Sequence, residues 1–265
     1  MNYRTVPHFI VLGLLVIWLP IPAGSAPENP ASSGLIQVSQ QPIDPVMDQT
    51  TLGLGTANKP NGRMYRLRET PDGTHPIEVP RLWSDCELGI ADTVDGGFVV
   101  LYRGNYWMDG RNSKAVAVMF DPKGNVRWEL DLNRFMSRTD QLEVQDIRYY
   151  KGKLYFNEAC QTYSSEAGGA CSALVCVDPD SEKVVFRTQA LISNNIFIID
   201  RDRIFCGYGF TAEPDYLYIL DAATGETLSR TPVDSAHDYL EIRDDILYVT
   251  TYKSYYQFRV VGLSR

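Results

Sequence analysis

Histidine is scarce, with three in 265 residues. So few imidazoles argue against His-based acid–base catalysis and against zinc sites built from His and Cys. Positive charge is also short: 25 Lys and Arg face 33 Asp and Glu, a net charge of −8, with no basic stripe. Holding nucleic acid by counterion release needs the opposite sign, so nucleic acid is excluded as a partner. There are five cysteines but no Cys-x-x-Cys pair, which removes the common sulfur-based metal sites. Gly-x-Ser-x-Gly, His-Glu-x-x-His and Walker loops are missing as well. No Asn-x-Ser/Thr acceptor occurs, which leans toward a bacterial cell envelope.

Long apolar runs are absent except at the start. Phe9 to Leu19 is broken only by Gly13, after Arg4 and before Pro20-Ile21-Pro22-Ala23-Gly24-Ser25-Ala26. A basic start, a short apolar core and a small-residue tail make a secretory signal peptide over residues 1–25. As a helix the run rises about 16 Å, too short for a hydrocarbon core of ~30 Å. Cleavage leaves 240 residues and no transmembrane segment, so a secreted or periplasmic location is expected. Residues 26–62 hold Pro27, Pro30, Pro42, Pro45 and Pro60 without a sustained period. They read as a flexible leader, with a short edge strand at Leu35–Ser39 as its one candidate element. Residues 63–265 form the folded domain.

What that domain has is repetition. An apolar run ending in Asp, a tight turn and a second strand occurs at Val116–Trp128, Leu174–Phe186 and Leu217–Leu228. The Asp side chain can cap the turn, and Gly124 and Gly225 suit its left-handed position. Before each copy stand two more short strands joined by a polar turn. Phe98, Leu154, Ile204 and Leu247 mark equivalent places, 56, 50 and 43 residues apart. Four-stranded antiparallel units at this period predict an all-β fold, a small β-propeller of four blades. A fifth blade from residues 35–82 is the alternative count. The last unit runs out after its third strand, Tyr255–Val261. An N-terminal strand or the hairpin of residues 64–80 is expected to complete it, since an open blade leaves an unpaired edge.

The run Leu217-Tyr218-Ile219-Leu220-Asp221-Ala222-Ala223-Thr224-Gly225 resembles the repeat of the quinoprotein-like (PQQ-repeat-like) β-propellers. In that family an Asp-x-x-Thr-Gly turn is followed, four residues after Gly, by a Trp that staples neighbouring blades. Trp128 stands four after Gly124. Phe186 holds the same place after Glu182, and Ser229 holds it after Gly225. The pattern covers residues 64–262 and implies the fold. The quinone enzymes of the family are much longer and carry an adjacent-cysteine pair that this chain lacks, so no cofactor is expected.

Cys160 and Cys171 flank the insertion 161–170 between two strands of one hairpin, and a disulfide is predicted there. Cys176 and Cys206 lie in apolar strand runs and read as buried small hydrophobes. Gly207-Tyr208-Gly209-Phe210-Thr211-Ala212 matches a relaxed dinucleotide fingerprint but leads into a strand, so it reads as a loop. Asp178-Pro179-Asp180-Ser181-Glu182 reads as a solvated hairpin tip, and no metal is expected.

Two constellations remain as candidate sites. Polar residues open the innermost strands: Asp85 and Glu87, Gln145 and Asp146, Asn194 and Asn195, His237 and Asp238. They should gather at the mouth of a propeller channel, where carboxylates and amides suit a sugar or a hard cation. Aromatics populate the variable loops: Tyr106, Trp107, Tyr163, Tyr208, Phe210, Tyr252, Tyr255 and Tyr256. These suit sugar faces and protein partners alike. The expected function is an exported, non-catalytic binding scaffold for a protein or carbohydrate ligand. The alternative is a cell-envelope enzyme acting on a glycan or redox substrate at the channel mouth.

Overall fold

The computed structural model describes residues 34–43, 79–80, 82–94, 96–104, 114–139, 141–210 and 212–262. The expected signal peptide, Tyr106, Trp107 and all but the end of the 64–80 hairpin lie outside them. The described strands are β1 (Gly34–Pro42), β2 (Leu82–Trp83), β3 (Cys86–Val94), β4 (Gly97–Arg103), β5 (Ala115–Phe120), β6 (Val126–Asp131), β7 (Leu142–Tyr150), β8 (Lys153–Cys160) and β9 (Ala173–Asp178). They continue with β10 (Lys183–Arg187), β11 (Asn194–Asp200), β12 (Arg203–Tyr208), β13 (Tyr216–Asp221), β14 (Thr227–Pro232), β15 (His237–Arg243), β16 (Ile246–Thr251) and β17 (Ser254–Val261).

These make four antiparallel sheets: β3-β4-β5-β6 with β2 beside β3, then β7 to β10, β11 to β14, and β15-β16-β17-β1. The fold is a β-propeller, with four blades among the described residues. The innermost strands pack in order, β3 on β7, β7 on β11 and β11 on β15. The last blade is completed by an N-terminal strand, as expected: β1 pairs with β17 from Gly34↔Val261 to Pro42↔Ser254. One expectation is corrected here: the tract 26–62, read as leader, contains a strand of the propeller. Among the described residues the strands make four sheets, and residues 34–42 belong to the fourth.

The recurrent Asp makes the turn that the sequence called for. Asp121 Oδ1 accepts from Lys123 N and Asn125 N, both at 2.8 Å. Asp178 Oδ1 accepts from Asp180 N at 3.0 Å, and Asp221 Oδ1 accepts from Ala223 N and Thr224 N at 3.0 Å. These bonds satisfy amides that the turn would otherwise leave bare. The third-blade turn then packs against the second blade. The Phe186 ring lies against Gly225, where a Cβ would sit 2.4 Å from it, and Tyr155 donates to Ala222 O at 3.0 Å. Trp128 meets Tyr149 of the second blade with ring centroids 5.7 Å apart. Gly225 also has φ +73°, so it satisfies a left-handed backbone and a close contact at once.

One large apolar cluster joins the first three blades through residues such as Leu101, Leu130, Phe156, Val175, Phe197 and Leu220. A second joins the third and fourth through Phe205, Ile219, Val249 and Phe258. A third backs the first blade with Tyr102, Val118 and Phe120 under Trp83. Strands alternate direction, so the tight turns of each inner and outer hairpin share one face. The longer connections, 161–172 and 209–215 among them, share the other.

Candidate functional site

Each innermost strand carries a register shift near its start, on the long-loop face. The shifts fall between Leu88 and Ile90, Val144 and Ile147, Asn194 and Ile198, and His237 and Tyr239. A bulge frees backbone amides and turns side chains out of the pleat. Most of the polar residues predicted for the channel mouth sit at or beside these bulges, with Asp85 in the turn before β3, and the structure divides them into two groups.

Gln145, Asp146, Asn194, Asn195 and His237 bond within their blade or to the neighbouring one. Asn157, fully buried on β8, accepts from Gln145 N at 3.0 Å and Asp146 N at 2.9 Å, and donates to Asn195 O at 2.6 Å. Asn195 N donates to Gln145 Oε1 at 2.6 Å, and Asn195 Nδ2 donates to His237 O at 2.8 Å. Asp146 Oδ2 accepts from Phe197 N at 2.9 Å. His237, 1% exposed, donates from Nε2 to Ile196 O at 2.8 Å, which assigns its tautomer. Blades two, three and four are thus laced at their inner edge. Arg148 extends the lacing to the first blade, bonded to Asp146 Oδ1 and 3.9 Å from Asp92.

The electrostatics follow the burial. Desolvation pushes the Asp146 carboxyl up to about 6 in spite of Arg148. It lowers the His237 pKa, so the ring is neutral at pH 7. Asp85, Glu87 and Asp238 are exposed and take no part in the lacing. Among the described residues no three His, Cys, Asp or Glu side chains are arranged to hold a metal ion.

The second constellation lies on the same face, farther out. Cys160 and Cys171 form the predicted disulfide, with Cα atoms 5.1 Å apart. The insertion it closes is braced against the 209–215 loop of the next blade: Glu213 Oε1 accepts from Ser164 N at 2.9 Å and from Ser164 Oγ at 2.8 Å. Tyr208 donates its hydroxyl to the other Glu213 oxygen. Tyr208 is therefore corrected from a partner-facing residue to a buried brace, 3% exposed. Phe210 bridges outward from it, 6.1 Å from Tyr208 and 5.8 Å from the exposed ring of Tyr163. Tyr252 stands free on the fourth blade at 78% exposed, with Tyr255 half-buried near it. Tyr256 is buried, and its hydroxyl accepts from Gln40 Nε2 at 2.9 Å and from Asp234 N at 3.1 Å.

Sequence reasoning missed Asn157, Glu213, Asp215 and Asp234. Asp215 packs against Gly209, its Oδ1 at 1.9 Å from where a Cβ would be, and His237 Nδ1 lies 2.7 Å from the Cβ position of Gly207. The Gly207-Tyr208-Gly209 alternation thus clears one side of β12 for two polar side chains. Burial, ahead of the like charges of Asp234 and Glu213, pushes Asp215 up to about 6. Asp234 is a hub: it accepts from Ser235 Oγ and Thr251 Oγ1 at 3.1 Å and from Gln40 Nε2 at 3.2 Å, tying β1 to the fourth blade.

No family model matches the chain, and no curated protein does. Among solved structures it is similar to a protein of unknown function from Bacteroides caccae, with TM-score 0.46 and 13% identity over 66% of this chain and 58% of that one. It is also similar to Myxococcus xanthus glutaminyl cyclase, with TM-score 0.38 and 13% identity over 67% and 75%. BamB from Moraxella catarrhalis follows with TM-score 0.34 and 11% identity over 70% and 62%. The chain spans less than two thirds of the Bacteroides protein's length. No helix among the described residues is long and apolar enough to cross a membrane.

Proposed function

We propose that the chain is an exported, non-catalytic binding scaffold of the quinoprotein-like propeller type, taking a protein or glycan partner on its long-loop face. One observation carries this reading. The exposed Tyr163, next to Phe210, is mounted on a loop closed by a disulfide and braced to the next blade through Ser164 and Glu213. An aromatic held this way gives up little conformational entropy on binding, which is what a recognition surface needs. Tyr252, exposed on the same face, extends the surface. The disulfide and the signal-peptide pattern both support export.

The enzyme reading draws on Asp215, a half-buried carboxyl raised to about 6 on the same face. Separate replacement distinguishes the two. Tyr163→Ala with Tyr252→Ala should weaken capture of the partner from a periplasmic or extracellular fraction, or from a glycan array, by 10-fold or more at unchanged stability, given typical aromatic hot spots of about 2 kcal/mol. Turnover on a substrate panel, lost in Asp215→Asn and kept in the double Tyr variant, would favour the enzyme instead.

A further inference from the structure

The outer strands β6, β10 and β14 each follow their sheet neighbour through a tight turn, which fixes them to it. β1 does not. Its neighbour β17 lies at the other end of the chain, and residues 43–78 separate β1 from the next described segment at Val79. A connection of that length reaches on the order of 100 Å when extended, farther than the breadth of a domain this size. β1 has no buried residue: Ile36 and Val38 are 54% and 50% exposed, and only Leu35 leans on the core of the last two blades. Yet the edge it covers is specific. Gln40 donates to Tyr256 Oη at 2.9 Å, to Ser254 Oγ at 3.3 Å and to Asp234 Oδ2 at 3.2 Å, and Ile43 N donates to Lys253 O at 2.8 Å.

A strand that is shallowly held, specifically read and linked by a long connection is one that two molecules can trade. We propose that the β17 edge of the fourth blade is an interaction surface for a second copy of this chain, which docks there by exchanging β1. The ladder and the Gln40 contacts are the same within one molecule or between two, so chain concentration decides which forms. Exchange is a bimolecular step, so the traded form grows with chain concentration.

Ile36 and Arg259 are cross-strand partners, both exposed, which permits a direct test. Full chains carrying Ile36→Cys alone and Arg259→Cys alone are mixed, unfolded in urea without reductant and refolded together. A disulfide between the two chains can form at this register only if β1 of one lies on β17 of the other. The covalent dimer should rise about 10-fold or more between ~5 and ~500 µM, while a mixture of Ile36→Cys with the off-register Tyr252→Cys gives no such rise. A chain carrying both Ile36→Cys and Arg259→Cys should close internally at low concentration. An internal disulfide there without any dimer in the mixture overturns the inference. So does the absence of any disulfide in the doubly substituted chain, since β1 would then not hold its register.

Discussion

Replacing Asn157 by Leu keeps the side chain's branched outline and removes its polar groups. In the native blade its carboxamide satisfies two bulge amides, Gln145 N and Asp146 N, and one carbonyl, Asn195 O, all at 3.0 Å or less. The site is fully buried, so water cannot take over those bonds without opening the blade junction. Each backbone group left bare costs about 1–3 kcal/mol, and three together cost roughly 3–9 kcal/mol. Burying the added apolar carbons returns about 1–2 kcal/mol. The expected net loss, about 1–8 kcal/mol, is a sizeable part of the 5–15 kcal/mol typical of a domain. Urea unfolding followed by tryptophan fluorescence reads it as a fall in midpoint at unchanged slope. The exposed neighbours serve as controls. Asp85→Ala, Glu87→Ala and Asp238→Ala should each stay within about 0.5 kcal/mol of the native chain. If Asn157→Leu costs less than about 1 kcal/mol, the inner lacing is not what holds these blades together.

Gly225→Ala meets both a left-handed backbone and the Phe186 ring, and should cost at least about 2 kcal/mol. Gly152→Ala, with φ +77° and nothing near its Cβ position, should cost about 1 kcal/mol by the same unfolding assay. Replacing Cys160 and Cys171 by Ser frees a short loop and should cost about 2–3 kcal/mol, read as a lower urea midpoint. Stability should also depend on pH in a particular direction. The Asp146 carboxyl is raised by burial to about 6, so the folded state binds the proton more tightly than the unfolded chain between about pH 4 and 6. Between pH 7 and 5 this group should therefore add about 1.4 kcal/mol of stability, while the buried neutral His237 opposes it, so the Asp146→Asn chain should lose more stability than the native chain over that range. Below the usual carboxylate range the sign reverses. Asp121 and Asp178, held low by side-chain bonds from Asn125 and Lys153, then lose their stabilising charge.

The architecture was legible because its signals are local. Asp121, Asp178 and Asp221 each write a turn into the sequence next to the strand they end, and the repeat of that turn marks the first three blades. The disulfide was legible for the same reason, its cysteines flanking one loop. β1 was legible only as a short edge-strand candidate. An outer strand without a buried residue shows no alternation of apolar and polar positions, so nothing marks Gly34–Pro42 as the end of a blade whose other strands lie 200 residues away. The candidate site was half legible. Asp146, Asn195 and His237 were found at the right edge of the propeller, but the partners that occupy them belong to neighbouring blades. Asn157 was the available clue: a lone amide inside the buried run Leu154–Cys160 requires a partner. Tyr208 looked like a loop aromatic, and its burial depends on Glu213 folding back from a loop five residues on.

The central claim is that the long-loop face binds a partner through its braced aromatics. Its most direct test is capture by the native chain and by the chain carrying Tyr163→Ala and Tyr252→Ala, compared side by side on a glycan array and a periplasmic or extracellular fraction. The account predicts a saturable partner for the native chain, weakened 10-fold or more in the variant, whose urea midpoint is unchanged. A partner bound equally well by both chains would contradict it.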